Sequence, residues 1–183
     1  QSFAILGSIF ADSAHFAVHE PLPLGAPFSD EGAANHGRLT PSHDQAATHI
    51  YVYGREASEP LATTGFPRRQ TRLAGELISR SHGVAPDRTV FVRQSQVAID
   101  AGAFHNDVVS VVNERVVFAH EHAFDRASEF YASLPGATIV EVTETQVPLA
   151  DAISSYLFNS QLVTLPDGSM VLIAPADVMS TAS

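Results

Sequence analysis

Ala101-Gly-Ala-Phe-His105-Asn106-Asp107-Val-Val-Ser-Val-Val112 joins a histidine and an acid, two residues apart, to a run of valines. Valine is stiff at χ1 and suits the pleated, buried surface of a sheet, so the run predicts a strand over 107–112. Residues i and i+2 of a strand point to the same face. His105 and Asp107 are therefore expected to share one side at the mouth of a buried sheet. An imidazole changes charge near neutral pH. Beside a fixed negative charge it suits proton transfer on a cationic substrate.

Working outward from this stretch, the chain divides into three similar blocks. The first holds a polar loop over 30–36 and a strand over 49–54. A helix over 68–82 follows, with Leu73, Leu77, Ile78 and Ser81 on one face and Gly83 as its stop, and then a strand over 89–93. The second holds strands over 107–112 and 115–119 joined at Asn113-Glu114. Its helix over 125–134 spaces Ala127, Phe130, Tyr131 and Leu134 at helical intervals behind an Asp125 cap; Pro135-Gly136 ends it, and a strand over 138–143 follows. The third holds a short helix over 149–156 and a hairpin of 162–165 and 170–174 around Pro166-Asp-Gly-Ser169. The blocks open alike, since Ala34-Asn35-His36, Phe104-His105-Asn106 and Phe158-Asn159-Ser160 each precede a strand. A strand-strand-helix-strand unit recurring at this scale suggests a propeller or solenoid-like array. An ordinary α/β sandwich with accidental likeness between its parts is the other reading.

The 183 residues fit one domain with a real core. With 45% hydrophobic and 16% charged residues the chain is globular rather than disordered. Twenty acidic residues against ten basic ones give a net charge of -10, which disfavours nucleic acid and anionic membrane surfaces as partners. There is no cysteine, so these residues contain neither a disulfide, nor a thiolate nucleophile, nor a zinc-thiolate site. No apolar run reaches the roughly 18 residues of a membrane span. The opening Gln1-Ser-Phe-Ala-Ile-Leu-Gly-Ser-Ile-Phe10 is apolar but lacks an initiator Met and a basic flank, and it reads as the middle of a longer chain rather than a signal peptide.

Five side chains besides Asp107 invite a chemical role. Glu31 lies in Asp30-Glu-Gly-Ala-Ala-Asn-His36, where small residues let the backbone turn closely; it is either a solvated loop acid or a carboxylate reaching into a cavity. Arg69 lies beside Arg68 at the start of the expected helix, where positive charge opposes the helix dipole. It is either a surface arginine or a planar fork for a substrate carboxylate. His105 is either a structural residue ahead of a strand or a general acid/base. His120 and His122 share a strand face, a spacing that can hold a metal but needs a third ligand; the other reading, a pair packed at the strand end, is preferred.

Taken together, Val18-His-Glu-Pro-Leu-Pro23, Asp30-Glu-Gly-Ala-Ala-Asn-His36, Arg69-Gln-Thr71 and Ile99-Asp-Ala-Gly-Ala-Phe-His-Asn-Asp-Val108 resemble N-succinylarginine dihydrolases, a family of guanidino-group-modifying penteins. The resemblance implies an α/β fold, the five-bladed ββαβ propeller of penteins, with two to three blades present and residues 1–183 as one fragment of it. It implies that Glu31 is a catalytic acid, His105 the catalytic histidine, Asp107 the acid that holds the guanidinium, and Arg69 a substrate arginine on the succinyl or α-carboxylate. The implied reaction takes N2-succinyl-L-arginine to N2-succinyl-L-ornithine, ammonia and carbon dioxide. The family's nucleophilic cysteine is expected beyond Ser183 and further substrate-binding segments before Gln1, so the chain alone is expected to be inactive. Another pentein hydrolase or amidinotransferase acting on arginine or agmatine, and a non-catalytic guanidino-binding module, are the alternatives. No cofactor and no metal are called for. A small-molecule substrate, a bacterial cytoplasmic setting, no nucleic-acid or membrane partner, and self-association as a homodimer complete the expectations.

Overall fold

The computed structural model describes residues 2–28, 33–62 and 65–180. It opens with α1 (Ser2–Ile9), an apolar helix with no buried residue. Then β1 (His36–Leu39) runs antiparallel to β2 (Thr48–Tyr53), whose other edge takes β3 (Thr89–Arg93) in parallel. A parallel neighbour requires a crossover, and α2 (Arg72–Ser81) makes it. After α3 (Gln96–Asp100) the arrangement recurs: β4 (Ser110–Asn113) is antiparallel to β5 (Val116–His120), α4 (Ala127–Ala132) crosses over, and β6 (Thr138–Val142) lies parallel to β5. A third unit begins with α5 (Leu149–Ser154) and the hairpin of β7 (Gln161–Thr164) and β8 (Met170–Ile173). The fold is thus α/β with small separate sheets, and strand-strand-helix-strand is present twice, followed by a hairpin.

The first strands of the three units lie side by side, β1 against β4 and β4 against β7. Gly37 allows the first approach, since a Cβ there would sit 3.1 Å from Val112 Cγ2. Asn113 Nδ2 donates to Thr164 Oγ1 at 2.8 Å across the second. One core joins the first two units, running from Leu39, Ile50, Val52 and Val92 through Ala98 and Val109 to Val117, Ala119, Phe124 and Phe130. Each such valine or leucine contributes about 1.5–3 kcal/mol by leaving water, which is why this apolar stripe governs how the units dock.

Several local expectations are corrected. The helix expected over 68–82 starts at Arg72, because Thr71 caps it: Thr71 Oγ1 accepts from Ala74 N at 3.0 Å. Its buried face is Ala74, Gly75 and Ser79, while Leu73, Leu77 and Ile78 are half-buried and Ser81 is exposed. The sheet below carries Tyr51 and Phe91, so only small residues let the helix approach. At Gly75 a Cβ would stand 3.2 Å from Tyr51 Cβ. Asp125 is not the cap of α4; Arg126, at φ 50°, precedes that helix, and Asp125 N is bound to Arg93 O at 2.9 Å. The hairpin turn is Glu114-Arg115, one residue later than expected, with Glu114 at φ 45°. The strand expected over 107–112 starts at Ser110, because a 3₁₀ turn, Asn106–Val108, comes first.

Candidate active site

That turn changes how the histidine and the acid relate. Neither residue lies in a strand, so the alternation of a strand does not relate their side chains. His105 stays extended, at φ −117° and ψ 149°, in the capping position, and Asp107 lies in the turn itself. Between them Asn106 is buried, 6% exposed. Its backbone N–H donates to Asn35 Oδ1 at 3.0 Å, and its own Oδ1 accepts from Ser110 Oγ. Val109 N, donating to Asn106 O at 2.9 Å, closes the turn. The pinned asparagine takes the inward position and leaves its two neighbours half-buried at the rim. The same turn therefore presents an imidazole and a carboxylate from a backbone held on both sides.

Aromatic rings extend the site. Phe104 stacks on Phe66 with centroids 6.4 Å apart and rings 13° from parallel, and its ring centre is 5.0 Å from that of His105. The guanidinium carbon of Arg69 sits 5.6 Å from the Phe104 centroid, within cation–π range. Arg69 and His105 thus share Phe104 as a wall. From the third unit, Asn159 Nδ2 donates to Asp107 Oδ2 at 2.9 Å. The structure brings Arg69 and His105 together on Phe104, and Asp107 follows in the turn that His105 caps. Glu31 lies outside the described residues; the short helix Ala33–Asn35 that follows it carries the Asn35 carboxamide bound to Asn106.

The succinylarginine dihydrolase family model matches residues 1–183. The chain belongs to the succinylarginine dihydrolase family. It is similar to the N-succinylarginine dihydrolase of Novosphingobium aromaticivorans, 53% identical over 180 residues, which is 95% of this chain and 40% of that protein. It is also similar to the N-succinylarginine dihydrolase of Sphingopyxis alaskensis, 52% identical over 170 residues, covering 91% of this chain and 39% of that protein. The chain spans about 40% of the length of these curated relatives.

Within this family member the second histidine pair has a different use. His120 is fully buried. Its Nδ1 accepts from His122 N at 3.1 Å, so Nε2 carries the proton and donates to Val147 O at 3.0 Å. With both ring nitrogens engaged, His120 has no lone pair for a metal, and among the described residues no cluster of three or more His, Asp or Glu forms a metal site. Arg68 and Arg69 both precede the helix start at Arg72, so neither opposes the dipole of α2 from within its first turn. Arg68 is a packing residue: it is 7% exposed, donates to Pro60 O at 3.1 Å and lies 3.9 Å from Glu59. Asn35, Asn106 and Ser110, which support the turn, are not among the residues that sequence alone singles out. The available signal was the asparagine shared by the openings of all three blocks. No helix among the described residues is long and apolar enough to cross a membrane.

Proposed function

We propose that this chain supplies the proton-transfer and guanidinium-binding half of an enzyme that hydrolyses N2-succinyl-L-arginine. One guanidino carbon, with two waters, leaves as carbon dioxide and two ammonia molecules, and the amine remains as N2-succinyl-L-ornithine. The observation that carries the reading is the turn at Asn106–Val108, which holds Asp107 and is capped by His105, whose ring meets the Phe104 ring that also faces Arg69, in a chain matched throughout by this family.

A guanidinium is a resonance-stabilised cation and its central carbon is a poor electrophile. Asp107 grips its N–H groups through charge-assisted hydrogen bonds, and Glu31 supplies the second carboxylate. His105 protonates the nitrogen that departs as ammonia and then takes a proton from water in the hydrolytic step. Arg69, steadied on Phe104, pairs with a carboxylate of the succinyl or α-carboxyl end. The chain has no cysteine, so in this proposal the thiolate that attacks the carbon comes from outside these residues, within a pentein propeller that the repeated ββαβ units and adjacent first strands support. The proposed setting is the cytoplasm, with a small-molecule substrate, no nucleic-acid or membrane partner, and a homodimer as the assembly.

Ammonia release from N2-succinyl-L-arginine by the full-length enzyme carrying this chain tests the proposal. Turnover is expected with that substrate, little with arginine or agmatine, and a loss of at least about 100-fold in kcat on His105→Ala, the usual scale for a general acid/base. Full activity in that variant would remove His105 from the chemistry.

A further inference from the structure

We infer that Asn159 is the positioning residue for the guanidinium-binding carboxylate of Asp107, an inference that rests on the role proposed above for Asp107. Asn159 Nδ2 donates to Asp107 Oδ2 at 2.9 Å across 52 residues of sequence. A carboxylate accepts along about four lone-pair directions. Its χ2 torsion is soft and broad, so an unheld carboxylate samples orientations in which only one oxygen meets a guanidinium. A fixed donor on Oδ2 narrows that rotation, and the spread of a carboxylate's lone-pair directions lets substrate N–H groups meet the same group.

The donor is itself held. Phe158, 1% exposed, anchors the segment by packing on Phe118 at 4.7 Å and meeting His120 edge-on at 6.3 Å between centroids. On the other side β7 begins at Gln161 and pairs with β8. Asn159 is exposed at the rim, between the buried Phe158 and the strand that starts at Gln161, and its carboxamide reaches Asp107 from there. The bond is not needed to dock the third unit on the second. β7 already packs on β4, and the hydrogen bond from Asn113 Nδ2 to Thr164 Oγ1 links them separately. A surface tie that duplicates an existing one yet ends on the site carboxylate is better explained by the carboxylate than by docking.

The test uses the full-length enzyme with N2-succinyl-L-arginine. Asn159→Ala is expected to raise KM roughly tenfold, the scale of a lost hydrogen bond to a charged group, with kcat within about threefold, since grip on the cation is lost alike in ground and transition states. The melting temperature is expected to stay put. Asn159→Asp sets a carboxylate against Asp107 and is expected to lose more at neutral pH, with kcat/KM recovering as pH falls and a protonated carboxyl takes over as donor. Asn113→Ala, the docking control, is expected to lower the melting temperature without raising KM. An unchanged KM in Asn159→Ala, or a fall in its melting temperature with kinetics intact, overturns the inference. Asp107→Asn run in parallel separates the two levels: if it keeps full activity, the role of Asp107 itself fails, whereas a crippled Asp107→Asn beside a normal Asn159→Ala sinks only the inference about Asn159.

Discussion

Arg68 and Arg69 are neighbours in sequence with guanidinium groups in opposite surroundings. Arg68 turns inward to Pro60 and Glu59, and Arg69 turns to the face of Phe104 beside His105. Composition cannot separate them, because one residue of rotation decides which side chain the loop buries. The proposed division of labour makes a pointed prediction. Arg69→Ala should lower kcat/KM for N2-succinyl-L-arginine by at least roughly tenfold, as expected for a lost charge-assisted pair, and Arg69→Lys should recover only part of it because an ammonium cannot form the planar fork. The melting temperature should not move. Steady-state kinetics with the succinylated substrate decide this, and an unaltered kcat/KM in Arg69→Ala would take Arg69 out of the substrate site.

At the scale of elements, regular periodicity was readable and its interruptions were not. The strand expected over 89–93 matches Thr89–Arg93, and the strand over 49–54 differs from Thr48–Tyr53 by one residue at each end. Both sit between clear breaks and are made mostly of β-branched or aromatic residues. The run from Asp107 to Val112 looked equally regular, yet Asp107 and Val108 belong to a turn. What stops the strand from starting earlier is Asn106, whose hydrogen bonds to Asn35 and Ser110 hold the backbone in a 3₁₀ conformation. Asn35 is 71 residues away, beyond the reach of any local pattern. α2 shows the same limit: its leucines suggested the buried face, but Ala74, Gly75 and Ser79 are buried, and Gly75 is the one that stands against Tyr51 and Phe91. Gly75→Val should therefore cost roughly 1–3 kcal/mol by overpacking. Urea unfolding would measure it, and an unchanged midpoint would mean that α2 does not approach the sheet this closely.

For the whole molecule, the first sheet and the segments around it assemble histidines that are scattered in sequence. His36 on β1 and His49 on β2 stack 8° from parallel, with His36 Nε2 3.0 Å from His49 Nδ1, and the His36 ring also lies on Tyr51 at 4.8 Å. His82, after α2, stacks on His19 at 4.2 Å. The His36 residue is exposed by area, yet His49 and Tyr51 stack against its ring. Burial of that ring, then the charges of His49 and His82, lowers its pKa to about 4. Burial followed by Arg38 and His82 lowers His49, and burial followed by His19 lowers His82. Between about 6.5, where an unfolded histidine titrates, and 4, the unfolded chain binds more protons than the folded one. Stability is thus fully present above about pH 6.5 and falls as the pH drops toward 4. Melting temperatures from pH 7.5 to 4.5 should decline over that window, and His36→Gln should flatten the decline; superimposable curves would show that the cluster does not carry it.

By itself, the sequence determined the family, the alternation of strands and helices, the absence of a thiol, and which residue types could handle a guanidinium. These follow from local composition, spacing and motif, which need no knowledge of distant contacts. Only the tertiary structure decided that His105 and Asp107 flank a buried asparagine instead of sharing a strand face, that Phe104 joins Arg69 to His105, and that Asn159 reaches Asp107 from another unit. Each of these depends on a side chain bonding to or packing against a residue far along the chain. Hydrogen bonding and close packing choose such partners in three dimensions, where sequence separation carries no information.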